Sequence, residues 1–491
     1  MKRKALLSSL IVLFLSSCAS GIGGSSLYFS SAPDASLSPI RSSANASSSP
    51  NDGPSSSSTR KSYPGFAPIE DAYHLSFPAI LFDDETGIHT NMRLDIPEQY
   101  LSFTHPSTTF KKELALASMA FVSLAPSLER IEEAYDYFSF EDLVFSEDYD
   151  LEEKEDTLLY VLGHKSEGEF EIVNLTIAGY EYKKPWVENF NIGTEGNHAG
   201  FNALALKVLV PLISYLRNGF DLSKTKLYIN AYSRSAAVAN ILSATLLDNR
   251  YIAEENLYAY LFSTPHGVDA AKAKEHPSVF NILHSADLIT HVSPEAYGHV
   301  RIGVDIDISH EFSADVIASY HPSLAIPSFT ANDKKDEKYS TDQEFVSYFL
   351  SLLLAPSDSY KNGKSEIDIS TRANFASSLQ SELGYLIALG FSLPQEALDD
   401  LLSLTETIDI GQAASLLEED GVFNLLKPIL DEHEVEYDEE TLKRSVSKLV
   451  RAIGEKPTLA AKLMDEGFRN NLLRSIYFHT LECILPLLIN L

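Results

Sequence analysis

The run Lys226-Leu-Tyr-Ile-Asn-Ala-Tyr-Ser233-Arg-Ser-Ala-Ala-Val-Ala-Asn240 constrains the fold of this chain more than any other segment. Lys226 to Asn230 reads as a short buried strand, and the small apolar residues from Ala236 open a helix that extends through Leu247. A tight turn with Ser233 at its apex joins the two. A buried strand passing straight into a helix is half of a βα unit, and such units build sheets covered by helices.

Serine at this turn admits two readings. A sharp bend can present the Ser233 hydroxyl as a nucleophile, with the following backbone N–H groups facing any negative charge that develops beside it. Equally, Ser233 or Ser235 can cap the helix, which involves no chemistry. The nucleophile turn is usually flanked by glycines. Here the flanks are Ala231 and Ser235, both small but both with a Cβ.

The chain opens with Lys2, Arg3 and Lys4, then a short apolar run ending Leu15-Ser16-Ser17-Cys18. This predicts an export signal over residues 1–18, too short for a permanent membrane span. Its end resembles a bacterial lipobox, which implies lipidation of Cys18. Residues 19–62 are rich in Ser, Pro, Gly, Asn and Asp. They cannot bury enough apolar surface to offset their ordering entropy, and predict a tether between anchor and folded body. Beyond Cys18 the chain has one further cysteine, Cys483, so the body is expected to fold without a disulfide. No later apolar run is expected to cross a membrane. A net charge of −31 repels nucleic acid and anionic headgroups at long range, which argues against nucleic-acid binding.

Residues 63–110 read as irregular. Helical spacing follows over Phe110–Leu128 and again over Leu128–Phe138. Thr157–Gly163 and Glu169–Ala178 read as strands joined in a hairpin. Phe201–Leu216 is a long apolar helix interrupted by Pro211. Strands are predicted at Asn256–Ser263, Ser278–Leu283 and His299–Ile308. Alternation of strands and helices predicts an α/β fold with a mainly parallel sheet and helices on both faces, over residues 63–340. From 341 to 491 only helices are expected, as a separate domain or an extension of the first.

A nucleophilic serine needs a base and an orienting acid. Asp287 lies just past the predicted strand Ser278–Leu283, and His310 and His321 lie beyond the next. Here the chain resembles the class 3 (triacylglycerol) lipase-like family of α/β-hydrolases, over about residues 110–325. The blocks that carry the resemblance are Ile177-Ala-Gly179-Tyr180 through Trp186 and Asn189, then His198-Ala-Gly200-Phe201, Tyr232-Ser233-Arg-Ser-Ala-Ala-Val-Ala-Asn240, Phe262-Ser-Thr-Pro265 and His284-Ser-Ala-Asp287.

The resemblance implies Ser233 as nucleophile, Asp287 as orienting acid and His321 as base, with His310 in reserve. It places the oxyanion hole at the backbone N–H groups of Tyr180 and Arg234. Where the family has arginine, histidine and glycine, this chain has Ala178, Tyr232 and Ser235. The expected function is therefore a lipid-anchored, extracytoplasmic serine ester hydrolase working through an acyl-enzyme. It would act on an ester or lipid without cofactor or metal ion, held at the membrane by Cys18. The alternative, motivated by those three substitutions, is a surface lipoprotein that keeps the α/β-hydrolase fold for binding alone.

Overall fold

A computed structural model of the chain describes residues 69–78, 91–150, 158–179, 186–320, 324, 326–356, 365–394, 396–397, 400–401, 420–463 and 465–491. The expected signal, Cys18 and the tether lie outside the described residues.

The strands in chain order are β1 (Tyr73–Pro78), β2 (Asn91–Ile96), β3 (Glu141–Phe145), β4 (Leu158–Glu167), β5 (Phe170–Gly179), β6 (Thr225–Tyr232), β7 (Leu257–Phe262), β8 (Val268–Asp269), β9 (Val279–Leu283), β10 (His299–Val300) and β11 (Val304–Asp307). Seven of them form the main sheet in the order β11-β9-β7-β6-β5-β4-β3. From β5 to β11 neighbours run parallel, while β4 and β3 are antiparallel additions at one edge.

The central strand β6 shows why the sheet is covered on both sides. Alternation turns Leu227, Ile229 and Ala231 to one face. There they pack with α4 (Ala199–Arg217) and α5 (Arg234–Asp248). Tyr228 and Tyr232 turn to the other face, with α1 (Lys112–Leu124). Asn230 shares that second face and is fully buried. Its amide donates to Asn174 Oδ1 at 2.6 Å and its carbonyl accepts from Ser118 Oγ at 2.5 Å, which offsets the cost of burying it. The remaining early helices are α2 (Leu128–Tyr137) and the short α3 (Trp186–Phe190). The architecture is α/β, a mainly parallel sheet with helices on both faces.

Three expectations are corrected. Residues 63–110 are not all irregular, because β1 and β2 pair antiparallel within them. Exposed His74 and Ser76 alternate there with buried Leu75, a stretch too short to announce a strand by periodicity. His299–Ile308 is not one strand. Its first two residues pair with β8, and only Val304–Asp307 joins the main sheet. Gly303 makes the break, at φ 94°, where a Cβ would come within 2.2 Å of the Val279 carbonyl. Helix α4 continues through Pro211. It also has the length and composition of a membrane span, yet Phe201, Leu204, Val208, Leu212 and Leu216 are packed against the sheet. It is a core helix.

The helices beyond the sheet are α6 (Ser313–Tyr320), α7 (Asp342–Leu354), α8 (Arg372–Ser378), α9 (Gln380–Ser392), α10 (Gly421–Glu432), α11 (Glu439–Gly454), α12 (Pro457–Leu463), α13 (Glu466–Tyr477) and α14 (Leu481–Ile489). They fall into two groups. Val422, Phe423, Leu430, Leu442 and Val446 of α10 and α11 make a small core of their own. By contrast, Phe345, Phe349, Phe468, Leu472, Ile484 and Leu485 join the core that holds Tyr228, Phe262 and Phe280 of the sheet. The end of the chain thus returns to the sheet, and α13 and α14 meet there at a bend of 68°.

Candidate active site

Ser233 follows the last residue of β6 and has φ 58° and ψ −127°. This conformation is costly for a residue with a Cβ, and persists only where the surroundings enforce it. Here the Ser233 N–H donates to the Phe262 carbonyl at 2.9 Å, and its own carbonyl accepts from Ala236 N–H at 2.9 Å. The side chain makes no capping bond to α5. That observation decides between the two readings of the turn, because the hydroxyl is turned away from the helix it precedes.

The hydroxyl meets an imidazole instead. Ser233 Oγ lies 2.7 Å from His479 Nε2, and His479 Nδ1 lies 2.8 Å from Asp287 Oδ2. Asp287 is fully buried, four residues past the end of β9, so both residues stand at the carboxyl ends of parallel strands. The second carboxylate oxygen, Oδ1, accepts from Ile289 N–H at 2.9 Å. An ionised carboxylate only accepts hydrogen bonds, so His479 must donate from Nδ1. Nε2 is then the acceptor and takes the serine proton. Serine, imidazole and carboxylate are in line, with the ring held in the tautomer that makes it a base.

The expected base is corrected accordingly. The imidazole on Ser233 belongs to His479, in the link between α13 and α14, and not to His310 or His321. His310 Nδ1 accepts from Phe312 N–H at 3.0 Å within its own turn, and His321 lies outside the described residues. The chain order of serine, acid and histidine is the anticipated one. The histidine is displaced because nearly all of the helical region separates the sheet from the segment that supplies it. Its sequence context, Tyr477-Phe-His479-Thr between the amphipathic run Glu466–Tyr477 and the apolar run Leu481–Ile489, carries no motif. The one signal was a histidine at the junction of two helical patterns.

Of the two expected oxyanion donors, Arg234 opens α5 directly after Ser233, and Tyr180 lies outside the described residues. Strand β5 ends at Gly179, with Ile177 registered against Ala231 of β6, so the chain leaves β5 alongside the serine turn.

His198 and Gly200 serve the packing around α4. His198 caps α4: its Nδ1 accepts from Phe201 N–H at 3.3 Å and its Nε2 donates to the Asn189 carbonyl at 3.1 Å. Burial, with His299 nearby, pushes its pKa down to about 3. Gly200 is required because a Cβ there would lie 2.1 Å from the Glu188 carbonyl. Ser235 is wholly buried, and among the described residues its hydroxyl has no hydrogen-bond partner. Among the described residues, no group of three or more His, Cys, Asp or Glu side chains could hold a metal ion.

Solved structures similar to this chain include a lipase. The crystal structure of a lipase from Rhizopus microsporus var. chinensis is similar over 45% of this chain and 84% of its own, at 17% identity and a TM-score of 0.32. No family model and no curated protein matches the sequence.

Proposed function

We propose that this protein is a serine ester hydrolase of the lipase or esterase type, tethered to a membrane by a lipidated Cys18 and facing away from the cytoplasm. The observation that carries the catalytic part is the hydrogen-bonded line Ser233–His479–Asp287, built on a serine held at positive φ at the carboxyl edge of the sheet. Anchor and location rest on the basic, apolar and cysteine-ended N-terminus alone.

In this reading Ser233 Oγ attacks the ester carbonyl while His479 Nε2 takes its proton. The resulting tetrahedral oxyanion sits at the start of α5, where the Arg234 N–H and that of Tyr180 would receive it. Each such donor is worth about 3 kcal/mol of barrier. Collapse expels the alcohol, which leaves with the proton from His479, and an acyl-serine remains. Water then attacks the acyl group, gives its proton to His479, and the acid departs as Ser233 regains its own. Asp287 stays ionised throughout and stabilises the transient imidazolium.

The experiment is covalent labelling with a fluorophosphonate probe, read alongside hydrolysis of a p-nitrophenyl ester. Stoichiometric labelling at Ser233, with both signals lost in Ser233→Ala, is the expected result. A protein that neither labels nor hydrolyses esters is instead a binding lipoprotein, as the substitutions Ala178, Tyr232 and Ser235 would then imply.

A further inference from the structure

His479 belongs to neither the sheet nor the helix that carries its partners. It is 246 residues from Ser233 and 192 from Asp287 along the chain, in a link between two helices. Its position therefore depends on how that link is docked, and three neighbouring strand ends do the docking. From the end of β6, the Tyr232 hydroxyl donates to the His479 carbonyl at 2.9 Å. From the end of β7, Ser263 Oγ reaches the same carbonyl at 3.4 Å. Beyond β9, the His284 ring stacks on Phe478, with centroids 3.7 Å apart and planes 8° apart. His284 is buried and is itself fixed, since its Nδ1 accepts from Ala286 N–H at 3.1 Å.

We infer that Tyr232 is a positioning residue that latches the segment carrying the base onto the strand carrying the nucleophile. This rests on the hydrolase reading above. Tyr232 immediately precedes Ser233, so one strand end fixes both partners of the proton transfer. Its bond goes to the backbone of His479 and leaves the imidazole's two polar contacts untouched. One substitution noted in the sequence, tyrosine where the lipase-like family has histidine, thus has a structural use. A hydroxyl at the end of this ring reaches the carbonyl of the link that bears the base. A displacement of the ring by about 1 Å is enough to cost on the order of 100-fold in rate.

Tyr232→Phe removes only the hydroxyl and is the test. The expected result is a kcat for p-nitrophenyl butyrate lower by about 10- to 100-fold with KM within about twofold, because proximity is lost and the substrate site is not. A second readout needs no turnover: the low-field proton of His479 Nδ1 in the proton NMR spectrum, assigned by its absence in His479→Ala. It should be sharp in the wild type and broadened or lost in Tyr232→Phe. Wild-type kcat together with a wild-type resonance in Tyr232→Phe overturns the inference. If Tyr232→Phe fails to fold, Tyr232→His, which keeps a ring but lacks the phenolic hydroxyl, decides by the same two readouts. A wild type that hydrolyses no ester but loses its resonance in Tyr232→Phe keeps the latch and refutes the hydrolase.

Discussion

Replacing His479 with alanine separates the base from every other histidine in the chain. The substitution deletes the acceptor 2.7 Å from Ser233 Oγ and the donor 2.8 Å from Asp287 Oδ2, and keeps the backbone carbonyl that Tyr232 holds. Without the imidazole the serine must lose its proton to water. In comparable triads that change removes about 10⁴- to 10⁶-fold in kcat, and 10⁴-fold corresponds to about 5.5 kcal/mol of barrier. The effect on folding should be much smaller. The ring is already 11% exposed, and Asp287 keeps the Ile289 N–H, so the loss is about 1–3 kcal/mol. The assay is ester hydrolysis under saturating substrate for His479→Ala, His310→Ala and His321→Ala, with urea unfolding to confirm that each is folded. Only the first should be inactive. More than about 1% residual kcat in His479→Ala, or an equal loss in either of the others, refutes the assignment of the base.

Asp287→Asn should keep the fold and lower kcat by about 10⁴-fold, because an amide can donate to Nδ1 and so favour the wrong tautomer; steady-state kinetics with a circular dichroism control measure this. Ser235→Ala removes a buried hydroxyl without a partner, and urea unfolding should show stability unchanged or raised by about 1 kcal/mol. Stability should also fall as pH drops from about 6.5 towards 4, since burial lowers the pKa of His198 to about 3, His266 to about 2 and His284 to about 4. Each imidazole binds its proton near pH 6.5 when unfolded and later when folded. Acid therefore favours the unfolded chain, by up to about 1.4 kcal/mol per pH unit for each. Urea midpoints across that range should show the slope, and His266→Phe should reduce it.

The strand, turn and helix around Ser233 were legible in the sequence because each follows from local pattern. The buried run and the small residues at the bend belong to one short segment. The same is true of the hairpin β4–β5 and of the acid past β9, where the strand's apolar run marks the end at which Asp287 must stand. The strand pair near the start and the break at Gly303 were not legible. The first carries its period in runs of only six residues, Met92, Leu94 and Ile96 against Arg93 and Asp95, too short to stand out, and the second depends on the approach of Val279 from another strand.

Sequence by itself determined that this chain builds a helix-covered sheet with a serine on a strand-to-helix turn and an acid past the end of another parallel strand. Which histidine completes the set was decided only in three dimensions. Local propensity can place a residue on a turn, but it says nothing about where that turn lands once distant segments share a core. The apolar faces of α13 and α14 bury against the same residues as the sheet, and that burial, acting over 246 residues of chain, carries His479 to Ser233.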